Sequence, residues 1–179
     1  MGTGFLVSKR IKQLMMDFKY ITPRICTFRM REKFINYSIV NGHAATEISD
    51  DELDGGFFFD ALEQAYDISP RNDIKIVLGD FNAQVGKEAV NFPATGTYSL
   101  HNLKNDSGSR LIQFAVSQNM ITGSTIHPHK DIHKCTWRLS NGVTFNQTDH
   151  VLIERRHKSN LGHIEVPILI PTTIWLMLV

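Results

Sequence analysis

Cysteine is nearly absent from this chain: Cys26 and Cys135 are its only two, far apart and outside any Cys-x-x-Cys pair. That scarcity excludes a disulfide framework and a thiolate zinc site, and sets a reduced intracellular environment as the expectation. Charge of either sign is also not in excess. Lys and Arg number 19 and Asp and Glu 18, for a formal net charge of +1. Coating of nucleic acid by bulk positive charge is excluded, so any such contact must be local. Signal-peptide order is missing, because Lys9, Arg10 and Lys12 follow the first short apolar stretch. The longest apolar run, Val166 to Val179, contains Pro167 and Pro171. It is shorter than the ~20 residues that span a bilayer, so no membrane helix is expected. There is no internal repeat and no low-complexity tract.

What is present suits one globular domain. The chain has 179 residues, 42% hydrophobic and 21% charged, enough to bury a core. Residues 4–8 read as a short strand. Residues 24–30 and 34–41, rich in β-branched and aromatic side chains, read as an antiparallel pair turning near Arg31-Glu32. Asp50 to Ser69 reads as a helix with Phe58, Leu62, Ala65 and Tyr66 at core spacing, weakened by Gly55-Gly56. Ile74 to Leu78 is a short apolar strand. Residues 84–107 read as a long loop, and Gly108 to Met120 as a helix burying Leu111, Ile112, Phe114 and Ala115. Strand candidates follow at Ile121–Ile126, Thr136–Leu139, Val143–Phe145 and Thr148–Ile153, with Asn141-Gly142 as a hairpin turn. Strands alternating with two helices predict a layered α/β domain.

Polar groups stand at the ends of these apolar strands. Gly79-Asp80-Phe81-Asn82-Ala83 closes the strand at Ile74, placing an acid and an amide at its C-terminal rim. His43 follows the strand ending at Asn41, and Asp149-His150 opens Val151-Leu152-Ile153. These groups could share one rim, a set suited to chemistry on a phosphate. Taken singly they have plainer readings. A Gly-Asp after a strand is more often a turn. Asp149 reads equally well as an exposed strand start, and Trp137 reads first as core. His127, His129 and His133 lack cysteine partners and surround Pro128, which argues against zinc. Asn105-Asp106-Ser107-Gly108 reads as a helix start with Ser or Asp as the cap.

Three blocks in order and spacing are more specific: GDFNAQVGKE, NDSGSRLIQFA and HKCTWRLSNGVTFNQTDHVLIERRH. Together they resemble the endonuclease domain of RTE-type non-LTR retrotransposons, within the exonuclease–endonuclease–phosphatase superfamily. The resemblance covers residues 2–163 and implies a two-layered β-sandwich flanked by helices, an α/β (α+β) fold, here incomplete. It implies cleavage of DNA phosphodiesters with Mg²⁺, nicking that primes reverse transcription, and a nuclear setting, with no obligate protein partner evident. By resemblance, Asp80 handles a proton on the attacking water or leaving oxygen, and Asn82 holds the phosphate or nucleophile. Asp149 matches the carboxylate that orients a catalytic His. His43 stands where relatives carry Tyr or His near the phosphate. Trp137, Thr136 and Arg110 fall on the DNA face.

The chain also departs from that pattern. The resemblance places an Asn strand and an LQE strand ahead of Met1-Gly2-Thr3-Gly4-Phe5, so a domain truncated at both ends is expected. The family's H-A-P-T reads His43-Ala44-Ala45-Thr46, and Ser-Asp-His, a metal-site acid with the catalytic His, occurs nowhere. Residues 164–179 form an apolar tail that packs as a replacement strand or stays a sticky end. One permitted coding of Glu165 to Leu176, read a base earlier, spells RGANIDSDHYLV, so a frame change near Gly162–Glu165 is the hypothesis. The coding DNA decides it. No metal ligand is expected to be retained. The alternative functions are a silent remnant that at most binds nucleic acid, and a phosphatase acting on a small phosphorylated molecule. The NQTDHVLIERRH block favours DNA over the latter.

Overall fold

The computed structural model describes residues 3–45, 52–128, 130, 134–138, 145–163 and 175–178. Thr46, His129, His133, the Asn141-Gly142 turn and most of the tail lie outside these residues.

Alternation builds the centre of the molecule. Strands β1 (Gly4–Val7), β2 (Met15–Thr22), β3 (Ile25–Met30), β4 (Tyr37–His43), β5 (Ile74–Asp80), β6 (Met120–Thr122), β7 (Trp137–Arg138), β8 (Phe145–Asn146), β9 (Asp149–Glu154) and β10 (Trp175–Leu178) are joined by the short turn α1 (Lys9–Lys12) and helices α2 (Glu52–Asp67) and α3 (Asp106–Ser117). Six strands form one mixed sheet in the order β2-β3-β4-β5-β9-β6. β4 and β5 run parallel, which requires the crossover that α2 supplies. β5 and β9 run antiparallel. The sheet is open, and among the described residues β7 pairs with β8 alone.

The period of two sends each strand's residues to opposite faces. One face is covered by the helices. Val40, Val77 and Leu152 pack there with Phe58, Leu62 and Ala65 of α2 and Leu111, Ile112, Phe114 and Ala115 of α3. Those stripes lie at the spacing read from the sequence, and each fully buried Leu contributes about 1.5–3 kcal/mol. The other face carries Phe28, Ile39, Ile76, Leu78 and Ile153, with Phe5 and Val7 of β1 laid against it. β1 pairs in parallel with β10, so a short two-stranded layer stands over this second face.

Several local expectations shift. Met15–Thr22 is a strand that the sequence reading passes over, although Phe18 and Tyr20 alternate with Asp17 and Lys19. The strand expected through Ile126 stops at Thr122 and gives way to a 3-10 turn at Gly123–Thr125. Helix α3 starts at Asp106, and its cap is Asn105 rather than Ser or Asp. Asn105 wins because its Oδ1 accepts from both Gly108 N (2.7 Å) and Gln84 N (2.8 Å), closing the helix and tying it to the loop after β5. Trp137, read first as core, is 42% exposed, because the two-residue ribbon β7–β8 stands outside the main sheet.

Candidate active site

Register brings the predicted rim residues together. His43 is the partner of Asp80 across β4–β5, and Asp149 is the partner of Asp80 across β5–β9. Directly opposed residues project to the same face, so an imidazole and two carboxylates stand side by side on three adjacent strands. They lie at the ends of these three inner strands, on the face where β1 packs. His43 Nδ1 is 4.0 Å from Asp80 Oδ2, and both side chains are partly exposed. The rim is held beyond the strands by Ala44 N donating to Asp80 O (2.8 Å) and Phe81 N donating to Thr148 O (3.0 Å).

The Gly-Asp-Phe-Asn-Ala segment has a local reason for each member. Gly79 has φ +146, and a Cβ there would sit 1.8 Å from Gly42 O on the neighbouring strand. Only glycine allows that approach. Phe81, Ala83 and Val85 are fully buried on the helix side. Asn82 takes a left-handed φ of 48°, which Asn tolerates better than most residues. Asp80 Oδ1 accepts from Asn82 N (3.0 Å), an Asx turn that leaves Oδ2 toward His43. Asn82 Nδ2 donates to Ala44 O (2.9 Å), linking the segment to the end of β4.

Asp149 is the electrostatic centre. Burial pushes its carboxyl up to about 7, the facing Asp80 charge adds to the rise, and a hydrogen bond from Thr136 opposes it. Desolvation and a like charge both disfavour the anion. The lip therefore carries a proton near neutral pH and can offer it to an oxygen of a bound phosphate. Thr136 Oγ1 also accepts from Thr148 N (3.0 Å) and Asp149 N (3.3 Å), which fixes the start of β9.

The adjacent His150 does not join the lip. Alternation turns it to the helix face, where it is fully buried. Its ring meets Ser124 Oγ through Nδ1 and Ala83 O through Nε2, each at 2.8 Å. A carbonyl only accepts, so Nε2 carries the proton and Nδ1 accepts from the serine. Burial pushes this imidazole down to about 4, against the pull of the Ala83 carbonyl. Asp149 thus faces another acid, and the Thr148-Asp149-His150 segment does not stand in for Ser-Asp-His. His150 is the residue the sequence reading left without a role; the alternation of Asp149, Val151 and Ile153 against His150 and Leu152 was the signal for it.

The remaining predicted residues divide. Trp137 is the register partner of Asn146, whose Oδ1 accepts from Gln84 Nε2 at 3.3 Å. The ribbon with its exposed indole is thereby fastened beside the lip. Gln147 and His101 extend that fastening: Gln147 N donates to His101 Nε2 (3.1 Å), and Leu100 N donates to Gln147 Oε1 (3.2 Å). Arg110 is not brought to Asp80. It lies on α3 in the groove shared with α2, near Gly56, Asp60 and Glu63, with its Nε 2.8 Å from Asp106 Oδ2. Among the described residues, no group of three or more His, Cys, Asp or Glu side chains could hold a metal ion.

This mixed sheet with flanking helices is the fold of the exonuclease–endonuclease–phosphatase proteins. The chain is similar to a 3'-5' exonuclease, NExo, from Neisseria meningitidis, with a TM-score of 0.54 at 16% identity over 81% of this chain and 60% of that one. It is also similar to the endonuclease domain of TRAS1, a telomere-specific non-LTR retrotransposon, with a TM-score of 0.51 at 13% identity over 77% and 53%. In sequence it is 25% identical over 161 residues, 89% of its length, to Craniofacial development protein 2 of Bos taurus and of Tragulus javanicus. It spans about a quarter of the length of those curated relatives, 26% and 27%, and just over half of the two solved chains. No family model matches it. No helix among the described residues is long and apolar enough to cross a membrane.

Proposed function

We propose that this chain is a DNA phosphodiester-binding domain of the metal-dependent endonuclease class, of the retrotransposon type, with negligible nicking by itself. The observation that carries the proposal is the convergence of His43, Asp80 and Asp149 from three strands onto one lip, beside Asn82 and the exposed Trp137. In this reading Trp137 stacks on a base and His43 and Asn82 contact the phosphate. Asp80 accepts a proton and Asp149 donates one to the leaving oxygen. With DNA as the substrate, the setting is the nucleus.

Mg²⁺ is part of the class, and Asp80 and Asp149 are the acids that would meet it. They are two acids without a third His, Cys, Asp or Glu beside them among the described residues, so a cation held here would keep several waters and lean on a substrate phosphate. The sequence supplies no Ser-Asp-His to complete them. Loss of the ligand and acid–base groups that Ser-Asp-His would supply costs several orders of magnitude in rate. Incubation with supercoiled plasmid and Mg²⁺ tests the reading, with DNA binding followed by fluorescence anisotropy. The expected result is binding with almost no nicked circle. Rapid nicking abolished by Asp80→Ala would overturn the silent part. Absence of any DNA binding would overturn the whole.

A further inference from the structure

Strand β2 is the outer edge of the six-stranded sheet, bonded through one side to β3. Among the described residues no strand pairs with its other side. Such an edge offers a row of unpaired backbone groups, which charged residues usually guard. Here the guard has an unusual pattern. Phe18 is 48% exposed, with Phe5 edge-on to it at 6.4 Å. Asp17 and Lys19 flank it with opposite charges on the other face, 3.5 Å apart at their nearest and about half exposed. Met16 and the exposed Tyr20 lie one position further out.

We propose that β2 pairs antiparallel with β2 of a second copy of this chain, about a two-fold axis at Phe18. In that register each Asp17 opposes the partner's Lys19, and each Lys19 opposes the partner's Asp17. Phe18 meets the partner's Phe18. Opposite charges and aromatic pairs directly across an antiparallel ladder stabilise it, whereas like charges there oppose it. The arrangement is isologous, the form that closes a dimer and stops further growth. Another segment of this chain or a foreign strand could use the open backbone edge. Only a second copy uses the charge symmetry about Phe18. The register shifts between Met15 and Asp17 and between Tyr20 and Thr22 confine regular pairing to the segment centred there.

Sedimentation velocity across a concentration series tests the proposal. The wild-type chain is expected to show a concentration-dependent dimer. Asp17→Lys alone and Lys19→Asp alone each set like charges across the axis, and each is expected to weaken the dimer about tenfold or more. Mixing these two variants one to one is expected to restore it, because the mixed pair again opposes unlike charges. The double variant is expected to restore it too. Circular dichroism matched to wild type shows that each variant is folded. A wild-type chain that stays monomeric would overturn the proposal. So would a dimer indifferent to the single changes, or folded variants whose mixture stays monomeric.

Discussion

Strand β5 is bounded by acids that live in opposite environments. Just before its start, Asp73 is buried and receives Arg29 through two bonds, Nε to Oδ2 at 2.7 Å and Nη2 to Oδ1 at 3.0 Å. The Ser38 hydroxyl adds a third at 2.7 Å. Burial pushes the Asp73 carboxyl up, but these donors outweigh it and hold it below the ordinary range. At the far end Asp80 faces Asp149, and burial with the like charge drives Asp149 up to about 7. A carboxylate given a cation and donors is structural. A carboxylate given another carboxylate is held ready to carry a proton, at a cost in stability.

The contrast is sharpest when one acid at a time is changed. Arg29→Ala leaves Asp73 buried with only Ser38, and is expected to cost about 3 kcal/mol of stability by urea denaturation. Asp149→Asn is expected to do the reverse above pH 7, stabilising by roughly 2 kcal/mol. The folded chain keeps the Asp149 proton that the unfolded chain releases near pH 4. Stability therefore falls as pH rises from about 4 to about 7, and the variant loses that slope. Asp73 has the opposite sign: its contribution is complete above the ordinary carboxylate range and fades as pH falls through its lowered folded value. That acid-side slope should survive in Asp149→Asn and disappear in Asp73→Asn, which denaturation curves at several pH values would show. If Asp149→Asn leaves the slope between pH 4 and 7 intact, the comparison breaks. The smallest expected effect is that of Trp137→Ala, which should leave stability unchanged and weaken single-stranded DNA binding by about 1–2 kcal/mol, read by anisotropy.

The lip was legible because strand ends are legible. Apolar runs ending at Asp80 and beginning at Asp149 mark both acids as candidates for one rim, and the antiparallel register of β5 and β9 then opposes them. The helix stripes of Phe58, Leu62 and Ala65 and of Leu111, Phe114 and Ala115 were equally readable, since the period of the helix is written in the residues. β2 was not, because an edge strand exposed on both faces has no buried side to mark it. The position of Trp137 depends on where β7–β8 stands relative to the main sheet. Arg110 sits on α3 in the groove with α2, near Gly56, Asp60 and Glu63, a placement that no spacing encodes.

By itself the sequence determined which residues could lie at a rim and which stripes must be buried. Tertiary structure alone decided that Asp149 meets Asp80 and not a histidine, and that His150 lies fully buried behind them. The reason is physical: periodicity sets the face of a side chain, but its charge state depends on neighbours and burial, which arise only when distant strands come into register.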